Sequence, residues 1–75
     1  MKIDPVAIDA AVTKDALLVS LADGRELATP IDWFPRLVGA TRAERENWQI
    51  TGRGEGLHWP DLGEDIAVAS LLRIS

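Results

Sequence analysis

Apolar residues recur with a period of two in two stretches near the start of the chain, and this pattern limits the fold more than any other feature. Val6, Ile8 and Ala10 alternate with Ala7 and Asp9, and Leu17, Val19 and Leu21 alternate with Leu18 and Ser20. Successive side chains of a strand point to opposite faces, so both stretches read as strands with one buried face. Thr13, Lys14 and Asp15 form a polar break between them. Ala22, Asp23 and Gly24 end the second run with the Asp-Gly pair favoured in tight hairpin turns. A third strand is expected from Arg25 to Thr29, stopped by Pro30, which has no amide hydrogen to give to a ladder.

The periodicity then changes. Asp32, Trp33, Phe34, Pro35, Arg36, Leu37, Val38 and Gly39 place a proline where a helix begins and a glycine where one ends, which predicts a short helix. Thr41 and Glu44 stand at capping-box spacing: the hydroxyl can take one free amide and the glutamate can reach back to another, so a second short helix is expected from Arg42 to Asn47. Period-two alternation resumes at Trp48 and Ile50 and again at Leu57 and Trp59. The glycine-rich segment Gly52, Arg53, Gly54, Glu55, Gly56 lies between them as a turn. The last stretch, Asp65 to Ile74, sets Ile66, Ala69 and then Leu72 or Arg73 on one helical face, with Asp65 as a cap. Val68 and Leu71 fall off that stripe, which leaves open a strand followed by a helical turn. The expectation is one small α+β domain over residues 1–75, with a small antiparallel sheet and helices packed on one face.

With 75 residues and no cysteine, packing alone must hold this domain, since neither a disulfide nor a thiolate metal site is available. Apolar residues make up 47% and charged residues 27%, the balance of a globular domain. The longest apolar runs, Ala16 to Val19 and Ile66 to Ala69, are far shorter than the roughly 20 residues of a membrane-spanning helix. Met1, Lys2, Ile3, Asp4 and Pro5 show no apolar stretch of a secretory signal, so a cytoplasmic location is expected.

The formal charge of −4 is unevenly distributed: residues 1–34 carry −3, residues 35–53 carry +2 and residues 54–75 carry −3. An acidic whole disfavours nucleic acid, whose affinity comes mainly from neutralised phosphates. A local basic face of Arg36, Arg42, Arg45 and Arg53 is the alternative reading, although Glu44 and Glu46 interrupt it and a solvated helix face explains the same residues.

His58 is the only histidine, and Asp61, Glu64 and Asp65 follow it. A carboxylate-rich metal site and a metal-dependent enzyme are the most pointed chemical reading of that run. One imidazole with three loop carboxylates is a poor cage, so a packed histidine followed by solvated acids is preferred, and no metal or other cofactor is expected. Gly52, Gly54 and Gly56 match neither the dinucleotide fingerprint nor a nucleoside-triphosphate loop. Ser20, Ser70 and Ser75 lie in no nucleophile motif, and no enzymatic activity is expected. Trp33, Trp48, Trp59 and Phe34 are the aromatic residues. At least two of the tryptophans belong in the core; Trp33, crowded against Phe34 and Pro35, is the first candidate for the surface, the alternative being that both aromatic residues pack across a bend.

Taken in order, Trp33, Phe34, Pro35, Arg36, Leu37, Ala40, Thr41, Glu44, Arg45, Asn47 and Trp48, then Gly54, Gly56, Leu57, His58, Trp59, Pro60, Leu62, Glu64, Asp65, Ile66 and Val68, resemble the bacterial domain-of-unknown-function family numbered 2442. The likeness runs from the Asp23, Gly24 turn to Leu72, and the segment from Gly54 to Ile66 is its most specific part. Gly63 departs from it, standing where that family usually has an acid. The resemblance implies a small α+β domain without an assigned catalytic activity. It also implies a gene beside that of a second small protein, in a pair suspected of being toxin and antitoxin. Some members add a helix-turn-helix domain, which is not expected here.

Together these readings predict a non-enzymatic protein-interaction domain, the antitoxin-like half of a two-gene pair. It is expected to bind a small basic protein through Trp33, Phe34, Glu55, Asp61, Glu64 and Asp65. The aromatic residues would hold the partner and the acids would attract it.

Overall fold

The computed structural model describes residues 6–74, with side chains to Leu72; Met1 to Pro5, the Ser75 considered as a nucleophile and the Arg73 side chain lie outside the described residues. Three strands come first: β1 (Ala7–Val12), β2 (Ala16–Leu21) and β3 (Glu26–Pro30). They pair antiparallel in the order β1-β2-β3. The polar break between β1 and β2 closes as a turn in which the Thr13 hydroxyl accepts from the amides of Asp15 and Ala16. The Asp-Gly turn places Gly24 at φ +93°, and Asp23 accepts from both the Arg25 amide at 3.0 Å and its guanidinium at 2.7 Å.

Leu17, Val19 and Leu21 are buried, as their alternation requires. In β1 Ala10 packs on the core as its alternation predicts, but Ala7 takes the buried place predicted for Ile8. Ala7 stands opposite Leu21, but Asp9 stands opposite Ser20, so the register shifts and Ile8 is the extra residue. Such an insertion turns the following side chains to the other face. Ala7, Ala10 and Val12 therefore look inward, and Ile8 is 58% exposed.

After Pro30 a 3-10 turn, Ile31–Trp33, buries Ile31 and leads into α1 (Pro35–Val38), with Pro35 in its first turn and Gly39 at its end. Next comes α2 (Arg42–Glu46), and both halves of the capping box form: the Thr41 hydroxyl accepts from the Glu44 amide, and Glu44 accepts from the Thr41 amide. Three more strands follow, β4 (Gln49–Thr51), β5 (Gly56–Trp59) and β6 (Glu64–Ala67), and α3 (Val68–Ile74) closes the described chain. These strands pair antiparallel in the order β4-β5-β6. The fold is thus the expected α+β with antiparallel strands, divided between two three-stranded sheets. The final segment takes the strand-then-helix form. Asp65 lies inside β6, so it does not cap α3.

One cluster of buried side chains runs through both sheets. Leu17, Val19 and Leu21 meet Ile31 and Leu37 from the connecting segment, Leu57, Trp59 and Ile66 from the second sheet, and Val68 and Leu71 at its end. A backbone bond joins the two sheets, with Ala7 donating to the Gly54 carbonyl at 2.7 Å, and Val68 extends the β5–β6 ladder by donating to the Glu55 carbonyl at 2.9 Å. Gly54 sits at φ +93°, and a Cβ there would lie 2.8 Å from the Val6 Cβ and 2.9 Å from the Ala7 oxygen. Only glycine combines that backbone with that approach. No helix among the described residues is long and apolar enough to cross a membrane.

Candidate functional site

Trp33 ends the 3-10 turn and is 51% exposed, whereas its neighbour Phe34 is half-buried and packs on the core. The two adjacent aromatic residues thus divide between surface and interior. Trp59 is fully buried, and Trp48 is half-buried against the same cluster.

The four predicted surface acids do not form one patch. Because β6 alternates, Glu64 lies on the face of Trp59, its partner across the strands, and Asp65 lies on the opposite face beside His58. Asp61, in the turn between β5 and β6, accepts from the Asn47 side chain at 2.9 Å. Glu55, in the turn between β4 and β5, shares with Asp65 the lining of a shallow concavity on the outer side of the second sheet. The structure therefore brings Glu55 and Asp65 together, and places Asp61 and Glu64 at either end of the β5–β6 turn.

His58 and Asp65 are directly opposite across β5 and β6, and Nδ1 lies 2.7 Å from the carboxylate. This pair gives the histidine a side-chain partner across the sheet. Among the described residues no group of three or more His, Cys, Asp or Glu side chains is gathered closely enough to hold an ion.

Two of the four candidate basic residues serve the backbone. Arg45 donates through Nε to the Leu37 carbonyl at 2.9 Å and through Nη2 to the Val38 carbonyl at 3.0 Å, closing the end of α1. Arg36 donates to the Gly63 carbonyl at 2.6 Å and so fastens α1 to the β5–β6 turn. Gly63, where the family resemblance departs, has φ +60°, a left-handed conformation natural to glycine. Arg42 pairs with Glu46 along α2, and Arg53 stands exposed in the β4–β5 turn. Sequence spacing could not reveal these roles, because carbonyl acceptors carry no side-chain signature.

The geometry defines a small α+β domain with two antiparallel sheets on a shared core, an exposed tryptophan and an acidic outer sheet face. A family model described as a protein of unknown function (DUF2442) matches residues 7–75, and the chain belongs to that family. The match reaches through β1 and β2, further than the resemblance from Asp23 onward. A crystal structure of a protein of unknown function from Rhodospirillum rubrum ATCC 11170 is similar at 29% sequence identity. The likeness covers 95% of this chain and 88% of that one, with a TM-score of 0.80. No curated protein matches the chain.

Proposed function

We propose that the chain is a non-enzymatic interaction domain that binds another small protein of basic character, with Trp33 as the anchor. One observation carries the reading: Trp33 is 51% exposed while the core closes around Trp59, Leu37 and Leu57 without it. An indole left in water by a small domain is surface that a partner can bury, and tryptophan is among the residues that dominate binding energy when buried centrally. Phe34, packed on the core behind it, gives the anchor a rigid base. The net charge of −4 favours a basic partner and speeds encounter more than it holds the complex. The antitoxin-like half of a two-gene pair is the role this reading takes from the resemblance.

The test pairs the chain with the product of the adjacent gene and compares wild type with Trp33→Ala for dissociation rate and melting temperature. The expected result is dissociation faster by about thirtyfold, equivalent to about 2 kcal/mol, with melting almost unchanged. Unchanged dissociation with a lower melting temperature would return Trp33 to a structural role.

A further inference from the structure

Leu57, Trp59 and Ile66 turn to the core on one side of the second sheet, and among the described residues no helix covers the other. By register, Gln49, His58 and Asp65 form one row across this face, and Thr51, Gly56 and Ala67 form the next. Gly56 brings no side chain to the second row, and the Thr51 hydroxyl lies close to where one would start. A Cβ there would stand 2.7 Å from the Thr51 Oγ1 and 3.3 Å from the Ile66 oxygen, so the position stays bare. Beside it is a concavity of about 230 Å³ whose lining includes Thr51, Gly52, Glu55, Gly56, Asp65 and Ala67. Both ionisable side chains in that lining are carboxylates. Glu55 folds back over Gly52, with its Cδ 3.5 Å from where a Cβ of that glycine would be. Asp65 gives one oxygen to His58 at 2.7 Å, which orients the carboxylate, and its side chain remains 76% exposed.

We infer that this concavity receives a cationic side chain, arginine by preference, from a basic segment of a protein partner. The lining offers acceptors on two sides: the carboxylates of Glu55 and Asp65, and the Thr51 hydroxyl. A guanidinium offers five donors in a planar fork and no acceptor, so its hydrogen-bonding needs are the complement of this lining. The bare Gly56 and the small Ala67 leave apolar floor for the methylene stem. Arg53, in the same turn, is exposed and outside the lining, and His58 holds one oxygen of Asp65 from beside it, so among the described residues no lysine or arginine lines the concavity. The inference rests on the interaction reading above and adds where a partner's cation sits and what chemistry it carries.

The test uses the whole chain, labelled with ¹⁵N, and two capped tripeptides: Gly-Arg-Gly, and its citrulline counterpart of the same shape without the charge. The arginine peptide is expected to move the amides of Thr51, Gly52, Gly56 and Ala67 with saturation. The citrulline peptide should bind at least about tenfold more weakly, the scale of one charged hydrogen bond. Ala67→Met fills the concavity from an exposed position with its charge intact, and Glu55→Gln with Asp65→Asn removes the charge at constant volume. Each should weaken the arginine peptide about tenfold, with the remaining amide spectrum unchanged to show the fold is kept. Equal response to both peptides, or Ala67→Met binding like wild type, would overturn the inference. Trp33→Ala separates the two proposals. If it leaves both tripeptide binding and partner dissociation at wild-type values, the anchor reading fails and the concavity stands. If it releases the partner while the concavity variants bind the peptide as wild type does, the concavity fails and the anchor reading stands.

Discussion

The indole nitrogen of Trp59 donates to the main-chain carbonyl of Arg45 at 3.0 Å, while the Arg45 guanidinium donates to the carbonyls of Leu37 and Val38. Arg45 thus ties the buried end of β5 to α2 through its backbone, and α2 to the end of α1 through its side chain. The arrangement satisfies the polar atom of the largest buried side chain, whose burial would otherwise be costly.

Trp59→Phe removes that donor and leaves space in the core. It is expected to lower unfolding free energy by about 2–4 kcal/mol, combining the cavity cost with a lost hydrogen bond. Urea denaturation followed by circular dichroism measures it, with an unchanged slope expected.

Gly24 and Gly54 share φ +93°, but only Gly54 has atoms where a Cβ would go. Gly24→Ala should cost about 1 kcal/mol, from backbone strain alone. Gly54→Ala should cost at least about 2 kcal/mol more, because Val6 and the Ala7 carbonyl must yield and the two sheets share that junction. Chemical denaturation of both variants separates strain from collision; equal losses would show that β1 gives way at little cost.

Thr41→Ala removes one half of the capping box and should destabilise by about 1 kcal/mol. Glu44→Ala removes the other half. Because the two bonds fix the same turn, the double variant should cost less than the sum of the singles, a coupling measurable by a double-mutant cycle in urea.

The Arg25 amide, with its guanidinium, holds the Asp23 carboxyl below its ordinary value of 3.8. A carboxyl whose folded value is depressed adds stability above its unfolded value, and loses that contribution as pH falls through the folded one. The stability difference between wild type and Asp23→Asn should therefore be constant from neutral pH down to about pH 4 and shrink below it. Denaturation midpoints across that range check the sign, and the carboxyl ¹³C shift of Asp23 locates its titration.

Most of the fold was legible because its signals are local. The period-two stretch of Leu17, Val19 and Leu21, the Asp23-Gly24 turn, Pro35 with Gly39, and the Thr41–Glu44 box each depend on neighbours a few residues away. β1 was misread at Ile8 because its register shift arises from pairing with β2, which one strand's pattern does not record. The partition of strands into two sheets escaped for a similar reason: Gly54 looks like any turn glycine until Ala7 lies against it. At the candidate site, the exposure of Trp33 followed from crowding beside Phe34 and Pro35. The grouping of the acids did not, because adjacency in sequence put Glu64 with Asp65, whereas a strand puts them on opposite faces.

Helix α2 buries none of its own side chains, and it is held by the Thr41–Glu44 bonds, the Arg45 guanidinium and the carbonyl that receives Trp59. A segment anchored through the side chains of Thr41, Glu44 and Arg45 and one main-chain carbonyl asks little of its outward positions. Arg42, Ala43 and Glu46 are exposed, and no core packing depends on them. Descendants of one ancestor can rewrite those positions, altering charge and shape beside α1, without renegotiating the interior. Substitution at Arg42, Ala43 or Glu46 thus changes the surface while the scaffold stays the same.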